Sequence, residues 1–324
     1  MTAVGNVKGS GRARTKCYSV PMIEQAPDQQ PVVEICDLVK RFGDQVVLDG
    51  VNLKVMQGET MVVMGGSGSG KSTILRHMIG SLYPNSGEVK LLGQTLSELN
   101  EDQLNELRKK FGILFQSGAL FNSMTVAENV ALPLREHTML DSHIIDTIVK
   151  MKLELVGLRE HADKIPAQIS GGMKKRAGLA RALALDPQVL FYDEPSAGLD
   201  PVTSAEIDRL IMDLSKKLGV TSIVVTHEMD SAFRVADRMA MLERGKMLMV
   251  DTRQAFEEIR DWPQDRLGEL DDSQQTIRQF LRGDAEGPIT RRKAATNYAE
   301  DLLGELPADD PTGDGPAIES TRPT

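Results

Sequence analysis

Gly65-Gly66-Ser67-Gly68-Ser69-Gly70-Lys71-Ser72 is the stretch on which the reading of this chain turns. It fits the pattern G-x-x-x-x-G-K-[ST], whose glycines let the backbone turn its N–H groups inward around phosphate oxygens. The apolar run Thr60-Met61-Val62-Val63-Met64 leads into it as a short strand, and Ser72 to Ile79 leaves it as a helix. A helix N-terminus at that point adds a partial positive charge to the cradle. The expectation is a nucleotide site. Gly65, Gly66, Ser67, Gly68, Ser69, Gly70 and Thr73 would surround the phosphates, Lys71 would meet the β- and γ-phosphates, and Ser72 would bind Mg²⁺.

Working outward, Val32-Val33-Glu34-Ile35, Val46-Val47-Leu48 and Val51 to Val55 carry strand signals. Asp49-Gly50 lies between two of these runs and signals a hairpin or turn. Downstream, 101–109 and 124–164 are helical in pattern, and helix resumes from Gly172 to Leu185. Val189-Leu190-Phe191-Tyr192 and Ser222-Ile223-Val224-Val225 are continuous apolar runs, as expected of strands buried on both faces. A helix over about 202–218 separates them. Strands alternating with helices imply an α/β fold with a mainly parallel sheet. Residues 120–185 form a mainly helical insertion, and helix returns near 273–282.

The ends differ in composition. Residues 1–30 are polar and aperiodic, with Lys8, Arg12, Arg14 and Lys16, and are expected to form a disordered basic arm. Residues 284–324 hold nine acids against four bases and are expected to form an acidic, mostly disordered tail. Within that tail Tyr298, Leu302, Leu303 and Leu306 are apolar at helical spacing, which makes them candidates for docking on a neighbouring subunit. That leaves 31–283 as the folded domain.

The net charge of −9 argues against a free nucleic-acid binder. Cys17 and Cys36 show no metal-ligand spacing. No apolar run approaches the roughly 18–20 residues that cross a bilayer, so the chain is expected on the cytoplasmic side, reaching a membrane through a partner.

A phosphate loop alone does not separate a kinase from a GTPase or a transport ATPase. The later motifs do, and over about 32–283 the chain resembles the ABC ATPase family, which implies a P-loop fold with a mainly parallel sheet core, an antiparallel β subdomain and a helical subdomain. Val189-Leu190-Phe191-Tyr192-Asp193-Glu194 resembles a Walker B strand. The resemblance implies that Asp193 holds Mg²⁺ and that Glu194 is the general base for the attacking water. Ile169-Ser170-Gly171-Gly172-Met173 resembles the ABC signature, in which Ser170, Gly171 and Gly172 would cradle the γ-phosphate of ATP held by a second copy of the chain. Met173 departs from the usual Gln and cannot make its amide hydrogen bonds. Gln116, after Gly112 to Phe115, matches the Q-loop glutamine that reaches Mg²⁺ or the water. His227, after Ile223 to Thr226, matches the switch histidine. Ser196 to Asp200 resembles the D-loop at the dimer interface, and Phe42 matches the aromatic that stacks on adenine.

Among ABC ATPases, the repair type carries long coiled coils within the fold, whereas 53 residues separate Gln116 from Ser170 and no sustained heptads occur. The translation type carries two ATPase domains, and here there is one phosphate loop. A transporter subunit is therefore expected. Three segments resemble the lipid-asymmetry-maintenance (Mla-type) group: Phe115 to Phe121, Ile169 to Arg176 with Met173 inside it, and Ile277 to Gly283 followed by Gly287-Pro288-Ile289. That resemblance implies ATP and Mg²⁺ as cofactors and a dimer on the cytoplasmic face of the inner membrane. It also implies transmembrane permease subunits, an MCE-type lipid-binding partner and phospholipid as cargo. An importer or exporter of another solute is the alternative.

Overall fold

The computed structural model describes residues 31–290. The basic arm at 1–30 and the apolar residues of the acidic tail lie outside them. The chain opens with β1 (Pro31–Phe42), β2 (Gln45–Met56) and β3 (Thr60–Met64), followed by α1 (Lys71–Met78). Next come β4 (Ser86–Leu91), β5 (Gln94–Thr95), α2 (Glu101–Arg108) and β6 (Phe111–Leu114). The helical insertion holds α3 (Val126–His137), α4 (Ser142–Leu155) and α5 (Gly171–Ala182). Then follow β7 (Val189–Asp193), α6 (Pro201–Leu218), β8 (Thr221–Thr226), α7 (Met229–Val235), β9 (Arg238–Glu243) and β10 (Lys246–Thr252). Helices α8 (Arg253–Arg260) and α9 (Asp272–Arg282) complete the described chain.

Two sheets form. One is antiparallel, in the order β2-β1-β4-β5. The other runs β10-β9-β3-β8-β7-β6, parallel except for β10. The parallel strands alternate strictly between two cores, as a period of two requires. Met61, Val63, Phe191, Ile223 and Leu242 face the core shared with the antiparallel sheet and α1. Val62, Met64, Tyr192, Val224 and Met241 face the core built with the helical insertion and α6 to α9. With both faces covered, every residue of β3 and β8 is buried, which explains the continuous apolar runs.

The expected turn at Asp49-Gly50 is not a turn. Beta strand 2 runs through it, and the pairing shifts from Lys40↔Leu48 to Leu38↔Val51, so two residues face one. This is a β-bulge, with Gly50 at φ 69° supplying the left-handed conformation. The hairpin is instead made at Gly43-Asp44, between the paired Phe42 and Gln45. A second hairpin, β9 to β10 through Arg244-Gly245, was not foreseen.

The tail expected from 284 begins with a fixed segment. Gln279 Nε2 donates to the Asp284 carbonyl and the Thr290 hydroxyl, and Gln279 Oε1 accepts from the Ile289 N–H. Residues 284–290 thus fold back on α9 after its left-handed C-cap, Gly283.

Candidate functional site

Parallel register decides where the motifs emerge. Met64 lies opposite Thr226, Asp193 opposite Val225, and Leu114 opposite Tyr192. The segments that follow these strands therefore leave the sheet at one edge, the carboxyl edge where open α/β sheets bind ligands. Gly65, Gln116, Glu194 and His227 all stand just past that edge.

The phosphate loop fits tightly. A Cβ on Gly65 would lie 2.1 Å from the Leu242 carbonyl oxygen, so only glycine lets the loop cross β9 this closely. Gly70 then caps α1 with no side-chain hydrogen bond, leaving the first N–H groups of that helix for a ligand. The Ser69 hydroxyl is buried without a hydrogen-bond partner among the described residues. Lys71 is buried and donates to the Gly65 carbonyl at 2.7 Å and the Gly66 carbonyl at 2.8 Å. Burial lowers its pKa, and the carboxylates of Glu194, Asp193 and Glu243 work against that fall.

The acids stand at the end of β7. Burial raises the Asp193 pKa, and the neighbouring Glu194 raises it further, against Arg76 and Lys71. Glu194 has φ 51°, in the left-handed region that costs a non-glycine residue about 1–2 kcal/mol. Its N–H donates to the Val225 carbonyl at 2.8 Å. The side chain turns to His227: Glu194 Oε1 and His227 Nδ1 are 2.9 Å apart, and the His227 N–H donates to Oε2 at 3.3 Å. The carboxylate is largely buried and the imidazole largely exposed, so the pair faces outward through the histidine.

A carboxylate beside a phosphate loop and the Ser72 hydroxyl makes an oxygen set suited to Mg²⁺, which binds through one or two carboxylates together with substrate phosphates and water. Among the described residues no group of three or more His, Cys, Asp or Glu side chains is placed to hold a metal by itself.

The other expected residues stand apart from this cluster. Ser170 caps α5, its hydroxyl accepting from the Met173 N–H at 3.3 Å. Gly172 lies where a Cβ would meet Thr203 Cγ2 at 2.4 Å, so α5 rests directly on α6. Met173 is partly buried against the helical-side core, which gives an apolar residue there a packing role. Asp200 caps α6: its Oδ1 accepts from the Val202 and Thr203 N–H groups, and its Oδ2 from the Thr203 hydroxyl. Those hydrogen bonds, that of the Thr203 hydroxyl first, hold its pKa below the ordinary value. Phe42 ends β1 with half its surface exposed. Its hairpin reaches the phosphate loop through β2, since a Cβ on Gly70 would meet Leu48 and Val47. Gln116 is exposed.

One residue was missed. Lys175, within the basic run Lys174-Lys175-Arg176, is buried, and its Nζ donates to the Ala197 carbonyl at 2.6 Å and the Glu194 carbonyl at 3.3 Å. Its only signal in the sequence is helical phase, because it shares a face of α5 with buried Gly172, Gly178 and Leu179.

Comparison with known proteins identifies the family. The family model described as ABC transporter matches residues 48–197. The Haemophilus influenzae intermembrane phospholipid transport system ATP-binding protein MlaF is 39% identical over 274 residues, covering 85% of this chain and 99% of that protein. The probable ribonucleotide transport ATP-binding protein mkl of Mycobacterium leprae is 42% identical, covering 83% of this chain and 74% of that protein. Among solved structures, the dimeric, post-hydrolysis ATP-binding cassette MJ0796 bound to ADP and Pi superposes with a TM-score of 0.63. It is 31% identical and covers 68% of this chain and 98% of the cassette.

Proposed function

The chain belongs to the ATP-binding proteins of ABC transporters, and from that premise we propose that it drives phospholipid movement between membranes as an ATP-hydrolysing dimer on the cytoplasmic face of the inner membrane. The observation that carries the catalytic half is the Glu194–His227 pair at 2.9 Å beside the phosphate loop. Lys71 exchanges its two loop carbonyls for the β- and γ-phosphates, and the inward N–H groups of the loop and of α1 complete the cradle. Asp193 and Ser72, with Gln116, would hold Mg²⁺, which would supply charge neutralisation at the phosphates. Glu194 accepts the proton of the attacking water, and His227 orients both the carboxylate and the γ-phosphate. Ser170, Gly171 and Gly172 of a second copy close over that phosphate. The dimer of MJ0796 cassettes supports this sandwich.

The cargo half rests on the match to MlaF over 99% of that protein's length. Since no helix among the described residues is long and apolar enough to cross a membrane, the chain acts through permease subunits. The docking surface is the groove lined by Phe115, Pro133, His137 and Arg181, next to the Q-loop. An MCE-type lipid-binding protein completes the assembly. A second reading, ribonucleotide transport, is favoured by the name of the mkl relative.

Purifying the chain from its own membrane with its companions tests the proposal. A permease, an MCE-type protein and bound phospholipid are expected, with ATP-dependent transfer of labelled phospholipid between vesicles. Companions lacking an MCE-type protein, with ATPase activity raised by ribonucleotides and not by phospholipid, would replace the lipid reading with the second one.

A further inference from the structure

The buried ammonium of Lys175 calls for an explanation that packing does not give. Burying a charge is costly unless hydrogen bonds compensate, and a methionine would fill the space without that cost. Burial lowers its pKa, while the carboxylates of Glu228 and Glu194 oppose the fall. What the charge gains is a pair of backbone carbonyls, Glu194 O and Ala197 O. Both lie in the short loop between β7 and α6. The loop's other fasteners are the Glu194 N–H to the Val225 carbonyl at 2.8 Å, the Ala197 N–H to the Glu194 carbonyl at 3.3 Å, the Leu199 N–H to the Ser196 carbonyl at 3.2 Å and the contacts of the Glu194 carboxylate with His227. Glu194 itself sits in an unfavourable backbone region and is held there from outside.

Helix α5 links that loop to two other parts of the machinery. Its N-terminus is Ser170, five residues before Lys175 and on the same rigid rod. Its C-terminal turn carries Arg181, whose guanidinium donates to the Ala119 carbonyl at 2.8 Å and the Gly118 carbonyl at 3.2 Å, just after Gln116. On the function proposed above, Ser170 serves the ATP bound by the partner, whereas Glu194 serves the ATP bound by its own chain. Movement of α5 on meeting the partner's nucleotide therefore pulls on the loop that aims the home base.

We infer that Lys175 is a positioning residue that couples the two ATP sites of the dimer, fastening the base-bearing loop of one site to the signature helix of the other. The coupling is a property of two sites and an element both act on, so it is read in cooperativity and not in turnover alone.

The test uses the full-length chain, alone and in the transporter purified with it. ATP binding by the isolated chain should stay within about twofold in Lys175→Met, because the residue touches no nucleotide group. In the transporter, turnover should fall about ten- to a hundredfold, the scale on which a misplaced catalytic group acts. The Hill coefficient for ATP should fall from near 2 towards 1. Lys175→Arg, which keeps charge and donors, should restore the Hill coefficient. If Lys175→Met does not fold, Lys175→Gln, shorter and neutral, carries the same expectation. Lost turnover with an unchanged Hill coefficient would overturn the coupling, and so would unchanged turnover. A wild-type transporter that binds ATP without hydrolysing it would instead count against the ATPase reading, before any variant is compared.

Discussion

Glu194 and Asp193 are adjacent acids with opposite demands. Glu194→Gln keeps the shape of the carboxylate but cannot take a proton. ATP binding should persist while hydrolysis falls about 10²-fold or more, the range lost with a general base. Single-turnover assays with radiolabelled ATP check this, and ATP should then trap a dimer visible by light scattering. Asp193 offers a pH handle. Its folded pKa is raised, by burial first and by Glu194 second. A group of that kind contributes stability below its unfolded value of 3.8 and loses it as pH rises through the folded value. At neutral pH the ionised Asp193 is therefore a cost to the nucleotide-free fold. Asp193→Asn should melt a few degrees higher than wild type by calorimetry while failing to bind Mg²⁺-ATP. In the wild type, the acid limb of Mg²⁺-ATP affinity should lie above the ordinary carboxylate value. These two acids, with Lys71 and His227, were legible from the sequence because each follows a strand signal or a glycine loop. Lys175 was not. A lysine inside Lys-Lys-Arg looks like part of a solvated face, and only the tertiary contact with β7's loop makes it otherwise.

At the level of elements, what the sequence conveyed depended on whether local and tertiary forces agreed. Strands β3, β7 and β8 were plain, since burial on both faces writes a continuous apolar run. Asp49-Gly50 misled because the dipeptide that closes a hairpin also makes a bulge, and the choice lies in the register with β1, which the dipeptide alone does not show. The β9–β10 hairpin hid for a related reason: β10 is only half-buried along its length, and its run Lys246-Met247-Leu248-Met249-Val250 carries no clean alternation. Helix α5 shows how a motif read as chemistry can also be packing. Gly172 lies in the segment that resembles the signature, yet its missing Cβ is what lets α5 rest on Thr203 of α6. Gly172→Ala should force the two helices apart. The expected loss is about 1–3 kcal/mol, the usual cost of overpacking, read as a lower denaturant midpoint in the absence of ATP. An unchanged midpoint with reduced ATPase activity would mean that the glycine serves the partner's phosphate alone.

Considered whole, the molecule is the ATP-binding part of a transporter, and on the proposed function its output leaves through the surface that meets the permease. Phe115 and Phe121 stand about half exposed in the connection from β6 to α3. Single exposed apolar residues need no explanation, but Phe115 opens onto a groove with Pro133 and His137 of α3, Arg181 of α5, and Arg108 of α2. Arg181 also grips the backbone that follows Gln116. A partner helix in this groove thus touches the same frame that holds the Q-loop and, through α5, the loop of Glu194. On the proposed docking, the nucleotide site and the permease would both bear on α5, through Lys175 and Arg181. Truncating the aromatic wall should separate docking from catalysis. Phe115→Ser should weaken retention of the permease about thirtyfold, the effect of losing an interface anchor worth about 2 kcal/mol. Because Phe115 is exposed on the groove, ATP affinity of the isolated chain should remain within about twofold, measured by fluorescence titration. Detergent-solubilised complexes carrying Phe115→Ser should lose the ATPase chain on size exclusion at dilutions where wild type stays assembled. Intact assembly at those dilutions would place the docking surface elsewhere on the helical insertion.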